Sequence, residues 1–354
     1  MLSALKVSNQ SLNTCHYING ERQVVLGDEE GLVGIWNFEK RGFDFSSYNH
    51  HKDSISCSRA FTSSSFLTGS WDHNVSLWDA VRGEATWTQN HDRAVLSCDG
   101  NADRNLVTTA CDDTWLRGYD CRVSGKIFEF KAHDNSITCV RMSSWGEVLV
   151  STSMDRRVRV WDLRTCKRLL NIEGHINVVS SCDISPDARL LVTASWDKSV
   201  KLWDLKAGSF RKQGATDFVK HEGCVCATHF ADNNQVFVSC GYDACICVWD
   251  LPHISSKHVI MLRGHDAWVK DCCVSTDGSR LASVDSGGYM LVWDVKNKDI
   301  PMFLDHKKTL GLNLVKCELC GKEFSLSAQE TETESNKLCV FCRMKTPSQA
   351  LFTV

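Results

Sequence analysis

Two cysteine pairs carry the most specific chemistry in the chain. Cys317 and Cys320 lie in KCELCGKEF and Cys339 and Cys342 in KLCVFCRMK, a CxxC, 18-residue gap, CxxC pattern that matches the spacing of a four-thiolate zinc site. Two knuckles of this kind close on one ion, and Gly321 relieves the tight turn of the first. With four thiolates no coordination position remains for water, so the expected zinc is structural and not hydrolytic. A second constellation has the side-chain types of nucleophilic catalysis: His175, Ser195 and Asp197, followed by Trp203. The same types recur as His133, Asp155 and Trp161 and as His221, Asp243 and Trp249. A third group is the thiol cluster Cys224, Cys226, Cys240, Cys245 and Cys247 near His221, where a metal or redox site competes with ordinary buried cysteine. None of these five has CxxC spacing, which favours the second reading.

The elements that must position these residues repeat. VSLWDA, VRVWDL, VKLWDL, ICVWDL and MLVWDV place Trp78, Trp161, Trp203, Trp249 and Trp293 before an aspartate, and VGIWNF (Trp36) and LRGYDC (Tyr119) are weaker copies. Successive anchors are 42, 41, 42, 42, 46 and 44 residues apart, which makes seven repeats of a length typical of radial all-β arrays. Apolar alternation marks short strands within each repeat, as in VVSSCDIS, RLLVTAS and SVKLWDL. His91, His133, His175, His221 and His265 stand 28 residues before their anchors, and Asp72, Asp113, Asp155, Asp197 and Asp243 stand six before.

With these motifs the chain resembles the WD-repeat β-propellers, whose blades carry a GH…WD signature. Gly174–His175 and Gly264–His265 keep both residues of the GH pair. The resemblance implies that histidine links the turn aspartate to a hydroxyl of the second strand, such as Ser153 or Ser195, and to the tryptophan N–H. His175, Ser195, Asp197 and Trp203 are then a structural network and not a catalytic one. The pattern fails where the ring should close: the first repeat has Ser8 at the histidine position and Glu30 at the aspartate position, and the seventh has Gly287. Either residues 2–7 (LSALKV) or residues 300–304 (IPMFL) supply the outer strand of the seventh blade, and either His50 or His51 serves the second.

In such a propeller the turns after the second strand and the loops before the first share one face. Trp71, Met154, Trp196, Tyr242 and Trp268 with Asp134 and Asp266 are the expected partner-binding set, aromatic anchors beside acids that would select basic segments. LVSTSMDRRVRVWDLR resembles the extended WDxR motif of receptors that dock on the cullin-4 ubiquitin ligase adaptor. That likeness implies contacts from Asp162 and Arg164, with Lys206 in the looser copy LVTASWDKSVKLWDLK.

Composition bounds the remaining classes. No positively charged start with an apolar run, and no stretch near eighteen apolar residues, predicts secretion or a membrane span, so a cytoplasmic or nuclear protein is expected. Nineteen cysteines without regular pairing then read as reduced, mostly buried thiols. A net charge of −3 provides no phosphate-neutralising footprint, and the segment from Lys316 to Lys345 balances five basic against five acidic residues, so no nucleic acid is expected as a partner. No P-loop, G-x-S-x-G or H-E-x-x-H motif occurs. The expectation is an all-β, seven-bladed WD-repeat propeller over residues 1–308, a zinc-ribbon-like module over 309–346 with one zinc, and a tail over 347–354. A protein-interaction scaffold is the leading function; a cullin-4 substrate receptor is the alternative, and an enzyme acting in the channel or through the thiol cluster ranks last.

Overall fold

A computed structural model describes residues 3–48, 51–123, 125–205, 215–251 and 259–295, together with the strands Asn313–Lys316 and Glu323–Leu326. The described residues are all-β. Seven four-stranded antiparallel sheets, here called blades with strands a to d from the inside outward, follow one another along the chain. The a strands contact each other around the ring, and that of blade seven (Val269–Val274) meets that of blade one (Leu12–Ile18), so the ring is closed.

Burial explains why the strands differ in composition. Strand b is covered on both faces, so Leu106–Cys111 is buried at every position and reads as an unbroken run of apolar and small residues. Strand d is the outer edge, and Glu84–Asn90 alternates exposed and half-buried residues. Between blades the inner faces form shared cores. Val150, Val160 and Ile172 of blade four pack with Val179, Leu191 and the fully buried Trp203 of blade five. Truncating such a tryptophan to alanine typically costs about 3–5 kcal/mol.

Every strand a carries a register shift between its first and third residues, a β-bulge at positions such as Ser56, Thr138 and Ser180. The bulge turns the second side chain toward the neighbouring blade. Ser56 Oγ donates to Val95 O (2.5 Å), Thr138 Oγ1 to Val179 O (2.5 Å), Ser180 Oγ to Val225 O (2.6 Å), and Asn13 Nδ2 to Ile55 O (3.2 Å). A short polar residue at the bulge thus joins successive blades through a carbonyl that antiparallel pairing leaves free.

Ring closure selects the N-terminal segment. Ser3–Lys6 pairs antiparallel with strand c of blade seven (Tyr289–Asp294), Ser3 opposite Val292 and Leu5 opposite Met290, and Val7 N donates to Gly288 O at 2.9 Å. Leu5 and Val7 pack on the core formed by blades seven and one. Residues 300–304 lie outside the described residues. Leu2–Asn297 forms one compact unit; Met1 with Lys298–Val354 is grouped as another, of which the described part is the hairpin Asn313–Lys316 with Glu323–Leu326. Deleting residues 1–7 is expected to lower the urea unfolding free energy by about 2–3 kcal/mol, from the partial apolar burial of Leu5 and Val7. It should also provoke association, seen by light scattering, through the bared edge of strand c. An unchanged midpoint would show that this strand does not close the ring.

Candidate functional site

The repeated His–Asp–Trp residues form one hydrogen-bonded chain per blade. In blade four His133 Nδ1 is 2.9 Å from Asp155 Oδ2, its Nε2 is 2.8 Å from Ser151 Oγ, and Trp161 Nε1 donates to the same hydroxyl at 2.9 Å. Blade five repeats this with His175, Asp197, Thr193 and Trp203, and blade six with His221, Asp243, Ser239 and Trp249. Burial lowers the pKa of His133 although Asp155 opposes it, so the ring is neutral, donating from Nδ1 and accepting the hydroxyl proton at Nε2. For Asp155, burial opposes ionisation, but the hydrogen bond from His133 and the turn amides outweigh it and hold the pKa at about 2.

The hydroxyls differ from those expected. Ser151 and Thr193 join the network; Ser153 and Ser195 instead accept the turn amides of Asp155 (3.0 Å) and Asp197 (3.1 Å). Residues two apart on a strand share a face, and the indole, set by the pairing of Trp161 with Leu149, reaches only the nearer hydroxyl. Thr193 and Ser195 are fully buried behind Trp203, so neither meets substrate. In blade two the histidine is His51, bonded to Asp72 (2.9 Å) and Thr68 (2.8 Å). Its hairpin between Ile55–Ala60 and Ser65–Ser70 is one residue shorter than that between Ile137–Met142 and Val148–Ser153, which accounts for the irregular spacing.

Three blades depart from the pattern. In blade seven Asp285 takes the role expected at Gly287: its Oδ1 accepts Gly287 N (2.9 Å) and Tyr289 N (3.0 Å), and its Oδ2 lies 2.6 Å from His265 Nδ1. Blade one does the same with Asp28, which accepts Glu30 N (3.0 Å) and Leu32 N (2.8 Å) and a 3.4 Å bond from Ser8 Oγ. Glu30 itself points outward to Gln10 Nε2 (2.6 Å). In blade three Asp113 does not meet His91, because the Arg117 guanidinium takes it at 2.6 Å and Glu129 at 2.7 Å. His91 keeps Thr109 (2.9 Å) and Tyr119 (3.2 Å) on Nε2, but its buried Nδ1 has no partner.

The b–c turns and the loops preceding strand a share one end of each blade. Trp71 N donates to Ser54 O, Met154 N to Ser136 O, Trp196 N to Val178 O, Tyr242 N to Cys224 O and Ser286 N to Trp268 O, at 2.9–3.0 Å. Trp71 and Trp268 are more than half exposed, and Met154 and Trp196 more than a third. Half-buried Tyr242 lies against Trp268 with ring centroids 5.0 Å apart, and Lys270 Nζ already sits 5.5 Å from its ring centre. Asp134 is held by Arg157 (3.2 Å) and Arg159 (3.4 Å), while Asp266 is exposed. Exposed Trp115 and Ile176 belong to the same end; neither is part of the repeat signature, and Ile176 stands directly after the histidine, where other blades carry an acid such as Asp134 or Asp266.

At the other end of blade four Asp162 Oδ1 accepts Arg164 N (2.8 Å), which leaves the Arg164 side chain exposed; Lys206 lies outside the described residues. Leu163 N donates to Glu147 O, placing this turn beside the a–b loop that carries Trp145, which is 71% exposed and was not singled out by sequence. Cys317, Cys320, Cys339 and Cys342 also lie outside the described residues, among which no group of three metal-ligating side chains occurs. In the blade-six thiol cluster, burial raises the pKa of Cys240, Cys245 and Cys247, which keeps them protonated.

The family model described as "WD domain, G-beta repeat" matches residues 44–79, 124–162, 166–204, 212–250 and 256–294, more than half of the chain. The chain belongs to this family. The two WD blades that the match omits, one and three, are those with the substituted histidine or the diverted aspartate. Similar proteins include the U3 small nucleolar RNA-associated protein 15 homolog of Xenopus tropicalis, 24% identical over 160 residues, 44% of this chain and 31% of that one. DDB1- and CUL4-associated factor 10 of Homo sapiens is 35% identical over 88 residues, 25% of this chain and 15% of that protein. The ribosome biogenesis protein WDR12 homolog of Oryza sativa is 34% identical over 136 residues, 36% of this chain and 29% of that protein. The chain therefore spans less than a third of the length of each of these relatives.

Blade three of the WD ring predicts a pH effect. Burial, then the nearby Arg117 charge, depresses His91 to about 4, against about 6.5 unfolded, so the unfolded chain binds the extra proton between those values and stability falls as pH drops. From pH 7 to pH 5 this group alone should remove on the order of 2 kcal/mol. Urea unfolding of His91→Gln should show a correspondingly smaller loss than the unmodified chain over that interval; parallel losses would place the titration elsewhere.

Proposed function

We propose that this WD protein is a non-catalytic interaction scaffold whose b–c turn face binds a protein partner. The observation that carries the reading is a set of exposed aromatics, Trp71, Trp196 and Trp268, whose backbone is held by a main-chain bond between the b–c turn and the loop before strand a. Met154 and Tyr242 extend the set. The acidic contribution is narrower than the sequence suggests, because Asp134 is neutralised within its own blade; Asp266 remains available to a basic segment. Names of two relatives refer to nucleolar RNA and ribosome biogenesis, which supports a nuclear setting and an RNA-containing assembly reached through protein contacts. The net charge of −3 favours contacts of that kind over direct binding of a nucleic-acid backbone. Cross-linking mass spectrometry of the full chain in nuclear extract should place partner cross-links around this face, and Trp196→Ala with Trp268→Ala should abolish them at unchanged stability. Partners retained by the double variant would move the binding site elsewhere.

A second reading has its own observation. The exposed Arg164 side chain in the WDxR copy, with local similarity to a DDB1- and CUL4-associated factor, supports docking on the cullin-4 adaptor through Asp162, Arg164 and Lys206. Purified adaptor should bind the full chain, and Arg164→Glu should weaken binding by tenfold or more; equal affinities would end this reading. Chemistry in the channel or at the blade-six thiols finds no support in the protonated, buried sulfurs.

We further propose that residues 309–346 form a zinc module held by Cys317, Cys320, Cys339 and Cys342 after a propeller over 1–308, with 347–354 as a tail. Lys316 pairs with Glu323, so Cys317, Cys320 and Gly321 fall in the six residues joining two strands of a hairpin, the place where a zinc knuckle sits. The pairing of seven repeats with KCELCGKEF and CVFCR is similar to WD repeat-containing protein 88. Elemental analysis should give one zinc per chain, and Cys317→Ser with Cys339→Ser should remove it; a zinc content of zero in the unmodified chain would refute the module.

A further inference from the structure

The fifth residue of every strand a faces one cavity of about 360 Å³ in the channel: His16, Arg59, Asp99, Arg141, Asp183, His229 and Cys273 in blade order. Six of these seven are histidine, arginine or aspartate, with opposite charges alternating from Arg59 to Asp183. The carboxylates are occupied. Asp99 accepts Met142 N (2.7 Å) and Gly100 N (3.0 Å), and Asp183 accepts Phe230 N (2.8 Å) and Ile184 N (3.0 Å). Asp271, two residues before Cys273, accepts Cys15 N (3.1 Å) and Cys272 N (2.9 Å). Each acid therefore clamps the strand a of the next blade, a structural task that uses part of its acceptor capacity.

The bases have no such completion. Arg59 Nη1 lies 3.1 Å from His229 Nδ1, and Arg141 Nη1 donates to Val140 O at 2.7 Å. Arg59 Nη2, Arg141 Nε and His16 Nδ1 are buried without a partner, in arginines only 7% and 9% exposed. These groups converge. Arg59 contacts His229, His229 Nδ1 is 3.6 Å from Asp183, Arg141 Nε is 4.0 Å from Asp183, and the His16 ring centre is 6.2 Å from that of His229. Three carboxylates outnumber two guanidiniums, and each is held at the ring by two backbone N–H groups, while burial raises the pKa of a further acid, Asp232. At His16 burial, then Arg59, His229 and Arg141, push the pKa down, with Asp183 opposing. What Arg59 Nη2, Arg141 Nε and His16 Nδ1 lack is an acceptor within hydrogen-bond reach.

We propose that this level of the channel is a binding site for a small oxyanion, a phosphate or carboxylate group held by Arg59 Nη2, Arg141 Nε and the Nδ1–H tautomer of His16. Charge-assisted bonds in a buried site are the strong ones, and removing one arginine should weaken binding at least tenfold. Isothermal titration of the full chain with inorganic phosphate and with acetate, at ionic strength matched by chloride, tests it. Saturable one-site binding of either ion, weakened tenfold or more by Arg59→Met and by Arg141→Met and unchanged in the exposed-lysine variant Lys167→Met, is the expected result. Phosphate alone or acetate alone would identify the source of the oxyanion. If the methionine variants do not fold, Arg141→Lys keeps the charge, and the rise in Tm of the unmodified chain with phosphate over chloride is the independent readout. No binding beyond chloride means that water fills the cavity and overturns the proposal, as does binding that both arginine variants retain.

Discussion

A left-handed residue five positions before each aromatic anchor is the constraint on which the molecule depends. Gly31, His73, Thr114, Arg156, Lys198, Ala244 and Gly288 all have φ between 57° and 87°, and five of them carry side chains. A non-glycine residue there costs roughly 1–2 kcal/mol and persists only where its surroundings over-determine it. In blade four the aspartate supplies that determination by accepting Arg157 N in the turn and Asp134 N in the loop before strand a, and histidine, hydroxyl and indole hold the aspartate in turn. The two glycines stand where the chain of the next blade crosses closest: a Cβ on Gly288 would lie 2.1 Å from Ser8 O, and one on Gly31 2.7 Å from Asp53 O. The same turn that locks strands b and c delivers Trp71, Met154 and Trp196 to the surface. Stability and the presentation of a binding face are one device.

The inner ring solves a different problem. Seven a strands must approach one another without pairing as a sheet, so each blade needs side chains that reach the backbone of the next. Bulged Asn13, Ser56, Thr138 and Ser180 do this at one level, and Asp99, Asp183 and Asp271 at another. The gaps between are filled by small thiols, with Cys57 and Cys98 Sγ 3.4 Å apart. Cys15, Cys139, Cys182, Cys240, Cys272 and Cys273 are buried in the same manner on other strands. Once the acids are committed to the backbone, Arg59 and Arg141 are left with unmet donors facing the channel.

Period and anchors made the propeller legible: a buried indole cannot shift without opening an inter-blade core, so its spacing survives in the sequence. Details governed by reach were not legible. Ser151 and Ser153 share a face, and only the register of Trp161 against Leu149 says which one the histidine meets. A carboxylate serves the turn from either of two positions, so Gly287 and Glu30 read as losses although Asp285 and Asp28 had taken over. Arg117 diverts Asp113 through a contact that no spacing rule encodes. The closing strand depended on pairing with Met290 and Val292, for which two apolar segments were equally suitable. On the candidate face, neither acids nor signature positions point to exposed Trp115 and Ile176, nor, at the opposite end, to Trp145.

The central claim is that a carboxylate anchored at the b–c turn holds each blade, and that its function is set by reach rather than by position. Blade seven allows it to be moved. Asp285→Ser should lower the unfolding free energy by about 3 kcal/mol, because it leaves the buried His265 Nδ1–H and the turn amides without an acceptor. Adding Gly287→Asp recreates the Ser–x–Asp pattern of Ser195 to Asp197, and a Cβ at Gly287 meets nothing nearer than 3.2 Å. Equilibrium urea unfolding of both variants is therefore the most direct measurement. Recovery of most of the lost stability in the double variant is the predicted result. A double variant no more stable than Asp285→Ser would contradict the account.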